Sequence, residues 1–142
     1  MSEAPFQTPS STPLKPTLSS FFKNFYAISD NPLAHTAYAD QFTPSATLIM
    51  ASKTAHGREE ILTLRKSMWE KVASRKHTIE KIFPIEENAD EVMLYGRVEY
   101  VMKEDEREVC VEWAGRAVVE EGGDGVIRLR FYQVYMDTAA QK

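Results

Sequence analysis

Apolar residues recur at helical intervals in the first half of the chain and at alternate positions in the second. Early on they fall at Leu18, Phe21, Phe22, Phe25, Tyr26 and Ile28. Intervals of three and four predict an amphipathic helix. Thr17 or Ser19 is placed to cap its start. Asp30-Asn31-Pro32 ends it, because proline disfavours a helical residue before it. A second, shorter helix is predicted over roughly 33–42, with Leu33, Ala37, Tyr38 and Phe42 on its apolar side and Pro44-Ser45 at its end. The run Ala46 to Ala51 reads as a short strand. Gly57 then leads into a third helix over roughly 58–73, with Ile61, Leu62, Leu64, Met68, Trp69 and Val72 as its stripe. Glu59 and Glu60 lie in its first turn, where the helix dipole favours negative charge.

The second half predicts four strands, over roughly 75–83, 91–102, 108–120 and 126–136. Their separators, such as Gly122-Gly123-Asp124-Gly125, are turn-like. Short links between long strands imply an antiparallel meander, and helices followed by strands imply an α+β fold. Alternation assigns Leu94, Gly96, Val98, Tyr100 and Met102 to one face, with Val109, Val111, Trp113, Gly115, Ala117 and Val119 beside them. By the same rule the last strand contributes Ile127, Leu129, Phe131, Gln133 and Tyr135. Arg128, Arg130, Tyr132, Val134 and Met136 go to the opposite face, with Tyr95, Arg97, Glu99, Cys110, Glu112 and Arg116. Charges of both signs there suit cross-strand pairs.

The apolar face holds Gly96, Gly115 and Ala117 in mid-strand, and brings polar atoms of Tyr100, Trp113, Gln133 and Tyr135 to the same surface. Two readings stay open. Small residues let the sheet curl while the polar atoms bond to the helices, or the face is concave around a small-molecule pocket. On the second reading Tyr26, Tyr38 and Trp69, from the three helical stripes, join those four as binding residues. The 142 residues suffice for one core. The expected layout is a tail at 1–16, one domain at 17–137 and a short tail at 138–142.

A net charge of −4 argues against a nucleic-acid partner. No apolar run reaches membrane-spanning length, and the first residues lack a signal-peptide pattern. Cys110 is the single cysteine, so no internal disulfide forms and a cytoplasmic setting is expected. Three scattered histidines lack metal-ligand spacing, so neither a metal nor another cofactor is expected. His77 shares a strand face with Ile79; it is either a general acid or base or a core histidine bonded to backbone. Asp30 either serves the turn before Pro32 or orients His77. His35 and His56 are expected at the surface.

The order of parts resembles the nuclear-transport-factor-2-like superfamily, which includes the SnoaL-like polyketide cyclases. The resemblance spans roughly 17–137 and rests on the helix ending at Asp30 and on Phe42-Thr43-Pro44 leading into the strand ATLIM. It also rests on His56-Gly57-Arg58-Glu59-Glu60-Ile61 opening the third helix and on the meander ending FYQVYMD. It implies a cone-shaped curved sheet with three N-terminal helices on its concave face, a pocket for a small apolar molecule, and dimers formed through the outer sheet face. It implies cofactor-free isomerase, cyclase or dehydratase chemistry, with a non-catalytic ligand-binding or protein-interaction role as the alternative. Scytalone dehydratase is similar in local pattern, with a Tyr-Asp pair after its first helix and a catalytic histidine in a strand written Gln-His-Phe-Ile. Ser29-Asp30 and Lys76-His77-Thr78-Ile79 match those places, so Asp30 and His77 carry over. Ser29 replaces the tyrosine, Met50 lies where another tyrosine belongs, and no second histidine stands near Tyr100 to Met102.

Overall fold

Pro16 starts the first helix, where its missing N–H costs nothing and its fixed φ suits the turn. The computed structural model describes residues 13–141. Most of the tail expected at 1–16 therefore lies outside the described residues, and Pro16 already belongs to α1 (Pro16–Ser29). Neither Thr17 nor Ser19 caps α1; Lys15 occupies that place without a side-chain bond. There follow α2 (His35–Asp40), β1 (Phe42–Met50), β2 (Lys53–His56) and α3 (Gly57–Met68). The second half holds β3 (Val72–Pro84), β4 (Glu91–Met102), β5 (Glu108–Glu121), β6 (Ile127–Met136) and a final 3-10 turn (Thr138–Gln141). Pro44 and Ser45, expected to end a helix, lie inside β1, where an irregularity between Phe42 and Thr47 absorbs them. Pro44 thus needs no place in the regular ladder.

The fold is α+β: three helices pack against one face of a curved, unclosed six-stranded sheet of order β2-β1-β6-β5-β4-β3. From β3 to β6 the strands form the expected antiparallel meander. β1 is antiparallel to β2 and parallel to β6, so one pair makes the sheet mixed. β2, read from the sequence as a loop, is a four-residue edge strand.

Two bulges decide which side chains face the helices. In β3, Ile79 pairs with Gly96 and Lys81 with Tyr95, leaving Glu80 extra. The inward series therefore runs Arg75, His77, Ile79 and then Ile82. At this bulge the strands approach so closely that a Cβ on Gly96 would stand 1.9 Å from the Thr78 carbonyl oxygen. Only glycine fits there. In β6, Phe131 pairs with Val118 and Leu129 with Val119, leaving Arg130 extra.

This second bulge overturns the assignment made for β6. Beyond it, Tyr132 and Val134 are buried, whereas Tyr135 is 48% exposed. Alternation carried straight through the strand put Gln133 and Tyr135 inside; the added residue exchanges the faces. Phe131 turns outward beneath the Arg116 guanidinium, 4.7 Å from the ring centroid. The outer face also carries ion pairs, Arg97 with Glu80 and Arg116 with Glu91.

Candidate functional site

The interior divides along the strands. One half is filled by Leu18, Phe22, Ile82, Val92, Leu94 and Leu129, none more than 1% exposed. The other half opens into a cavity of about 1050 Å³. Ser29, Tyr38, Leu64, Met68, Arg75 and His77 form part of its wall, with Tyr100, Met102, Trp113, Tyr132 and Val134 across the sheet. Its rim includes the β1–β2 turn, the start of β3 and the β4–β5 loop.

Asp30 and His77 meet on this wall. Asp30 follows α1 directly, and its carboxylate accepts the backbone N–H of His77 at 2.9 Å. Its other oxygen lies 2.6 Å from His77 Nδ1. An ionised carboxylate only accepts, so Nδ1 carries the hydrogen and Nε2 is the basic nitrogen. The His77 pKa is lowered, first by burial; the bond to Asp30 opposes this, and the charges of Arg75 and Arg65 reinforce it. His77 is thus neutral near neutral pH, with its basic nitrogen on a ring that lines a cavity.

A pair of buried arginines, which sequence reasoning missed, anchors the Asp30 turn. Arg75 donates from Nε and Nη2 to the Ser29 carbonyl at 3.1 and 2.8 Å, and from Nη2 to Ser29 Oγ at 3.1 Å. Arg65, fully buried, donates from Nη1 to the same carbonyl and from Nη2 to the Asn31 carbonyl, both at 2.6 Å. Carbonyls at a helix end lack partners and carry partial negative charge, so cations suit them. Burial, followed by repulsion from Arg75, pushes the Arg65 pKa down to about 10. Both guanidiniums also lie over the Trp69 ring, at 5.3 and 4.7 Å. Two signals pointed to them. Arg75 shares strand parity with His77 and Ile79, and Arg65 stands four residues from both Ile61 and Trp69.

Of the residues expected to bind a ligand, Tyr38, Tyr100 and Trp113 line the cavity. Tyr26 and Trp69 are buried behind the wall. Gln133 and Tyr135 face away, and Tyr132 takes the inward place. Its hydroxyl lies 2.6 Å from that of Tyr26. Burial raises the pKa of both hydroxyls, so each stays protonated. The Trp113 indole N–H is buried without an acceptor among the described residues. His56 is exposed as expected, whereas His35 is half-buried and its Nδ1 accepts from Arg65 Nε at 3.2 Å.

No family model matches the chain, and no curated protein matches it. Solved structures do. ActVI-ORFA from Streptomyces coelicolor superposes with a TM-score of 0.70 at 20% identity, over 84% of this chain and 94% of that one. Nuclear transport factor 2 from Cryptosporidium parvum gives 0.69 at 14% identity, over 89% and 100%. A hexachlorocyclohexane dehydrochlorinase, LinA type 2, gives 0.69 at 16% identity, over 84% and 82%. On these superpositions, and on the helices, sheet order and cavity described above, the chain has the nuclear-transport-factor-2-like fold.

Proposed function

We propose that the protein is a cofactor-independent enzyme of the SnoaL-like or scytalone dehydratase-like kind. His77 Nε2 takes a proton from the carbon beside a carbonyl group in a largely apolar substrate. The Asp30 carboxylate fixes the ring through Nδ1 and stabilises the imidazolium that forms. Tyr100 or Tyr132, residues of the cavity wall, donates its hydroxyl hydrogen to the developing oxyanion. Returning the proton at another position gives an isomer; loss of a leaving group gives an elimination product. The carrying observation is the 2.6 Å bond between Asp30 and His77 on the wall of a cavity large enough for a small organic molecule. LinA, similar in fold, is named for an elimination, which is consistent with base chemistry in such a cavity.

The test follows solvent deuterium entering 2-tetralone beside its carbonyl, by NMR. The wild-type protein is expected to exceed the buffer rate, and His77→Asn to lose about 10²–10⁴-fold of that excess. Exchange at the buffer rate, or undiminished in a folded His77→Asn protein, excludes the role.

On the outer sheet face Phe83 stacks on Tyr95 with ring centroids 6.2 Å apart, and Met93 and Tyr135 are exposed nearby in the sheet. We read this face as the contact of a homodimer in the cytoplasm, where the exposed Cys110 stays reduced. Light scattering is expected to give twice the chain mass; a monomer at every concentration rules the dimer out.

A further inference from the structure

The cavity wall holds a cation without a carboxylate partner. Arg75 is 8% exposed, and no carboxylate among the described residues lies within ion-pair distance of it. Its Nε and Nη2 are committed to Ser29. Nη1 forms no hydrogen bond among the described residues, which leaves two guanidinium hydrogens on a side chain that lines the cavity.

The nearest acid cannot neutralise it. The Asp30 carboxylate already receives the backbone N–H and the ring Nδ1–H of His77. Arg65 adds a second buried positive charge on the same carbonyl cluster. Two arginines and one carboxylate, around a neutral imidazole, leave the buried group with an excess of one positive charge. A buried cation is costly unless it is paired. The unmet demand is for an oxygen acceptor that carries negative charge.

We propose that the ligand is an organic acid whose carboxylate is received by Arg75 Nη1. The proposal rests on reading the cavity as a small-molecule site and specifies the class of molecule. Arg75 and His77 are two residues apart on one strand face, so their Cα atoms stand roughly 7 Å apart. A carboxylate on Arg75 therefore holds the neighbouring carbons of the molecule beside the His77 ring. The apolar walls from Leu64, Met68, Met102 and Val134 take the body of the acid.

The test is calorimetric titration of the full chain at pH 7.5 with 1-naphthoate and, separately, with methyl 1-naphthoate, which has the same ring and no charge. The acid is expected to bind about tenfold or more tightly than the ester. Arg75→Met is expected to abolish the preference. Should that variant fail to fold, Arg75→Gln, which keeps a donor for Ser29, is expected to show the same loss. Equal affinity for acid and ester, binding of neither at millimolar concentration, or a preference that survives in a folded variant overturns the proposal. Because the readout is binding, an acid preference without proton exchange defeats only the catalytic role of His77, and exchange without the preference defeats only the Arg75 assignment.

Discussion

The two halves of the interior are built on opposite principles, though the same strands run through both. In the solid half, Ile82, Leu94 and Leu129 meet Leu18 and Phe22 with almost no exposed area. Such packing is stabilised by every methylene removed from water. In the hollow half the wall carries Arg75, His77, Tyr100, Trp113 and Tyr132, and Arg65 is buried behind it. There, stability depends on matching each polar atom, and two indole N–H groups, of Trp69 and Trp113, have no acceptor among the described residues. Because one half holds the cone together, the other can carry charge and open space.

The sharpest break between the halves comes from paired substitutions. Phe22→Ala, in the solid half, is expected to cost about 3–5 kcal/mol in urea unfolding, because the ring leaves a cavity that its neighbours cannot close. Arg65→Met is expected to cost about 1–3 kcal/mol, because the Asn31 carbonyl keeps only its bond from the Ala34 N–H and the Ser29 carbonyl only its bonds from Arg75. Their effects on His77 should be reversed. Removing Arg65 takes away a charge that lowers the His77 pKa, so NMR titration of the imidazole should shift upward. Phe22→Ala should leave it unchanged. Equal movement in both variants would show that the halves are not separable.

How much of this was legible depends on how local the cause was. The β4 faces followed from simple alternation, because that strand pairs with β5 without interruption. Asp30 and His77 were visible as residue types at marked places, a turn before proline and an inward strand position. The β6 faces were not legible beyond Arg130, because nothing in Leu129-Arg130-Phe131 marks a bulge; it arises from fitting two twisted strands together. The same gap hid Tyr132 and promoted Tyr135. The parallel β1–β6 pair was hidden for a related reason, since alternation shows faces and not neighbours. Arg65 and Arg75 stand at positions that periodicity marks as inward, yet arginine is rarely buried without a partner. Their partners are carbonyls at a helix end, which only tertiary structure supplies.

Acid should separate the halves next. The His77 pKa is lowered in the folded chain, so over the window between that value and the ordinary value near 6.5 the unfolded chain binds more protons. Stability is then complete above about pH 6.5 and falls as the pH drops through the folded value. His35 is lowered in the same sense, by burial first and then by Arg65. Each site contributes a slope of at most about 1.4 kcal/mol per pH unit. Unfolding series between pH 7.5 and 5 should show this loss, and His77→Asn should remove its share. A profile that stays flat in the wild type would contradict the burial assigned to the ring. Activity should fall in the same direction, because only the neutral imidazole accepts a proton.

The smallest effect tests the border itself. Gly115 lies on β5 paired with Leu94 of the solid half and with Val134 of the hollow one, and the Tyr132 ring lies against it. A Cβ there would stand 3.1 Å from Leu94 Cδ1 and 3.3 Å from Tyr132 Cε1, closer than comfortable contact. Alanine restricts the unfolded chain and so gains about 0.4–1 kcal/mol, while crowding costs about 1–3 kcal/mol. Gly115→Ala should therefore lose about 1 kcal/mol of stability. Which neighbour yields is the informative part. Leu94 is fully packed, whereas Tyr132 borders open space, so the tyrosine ring should move toward the cavity. Its hydroxyl would then leave the 2.6 Å contact with Tyr26. A hydroxyl proton resonance of the tyrosine pair, seen in the wild type and lost in Gly115→Ala, would place the soft side of the border at the cavity. If the resonance persists while the Leu94 methyl signals shift, the solid half is the more yielding one, and the division drawn between them fails at its own boundary.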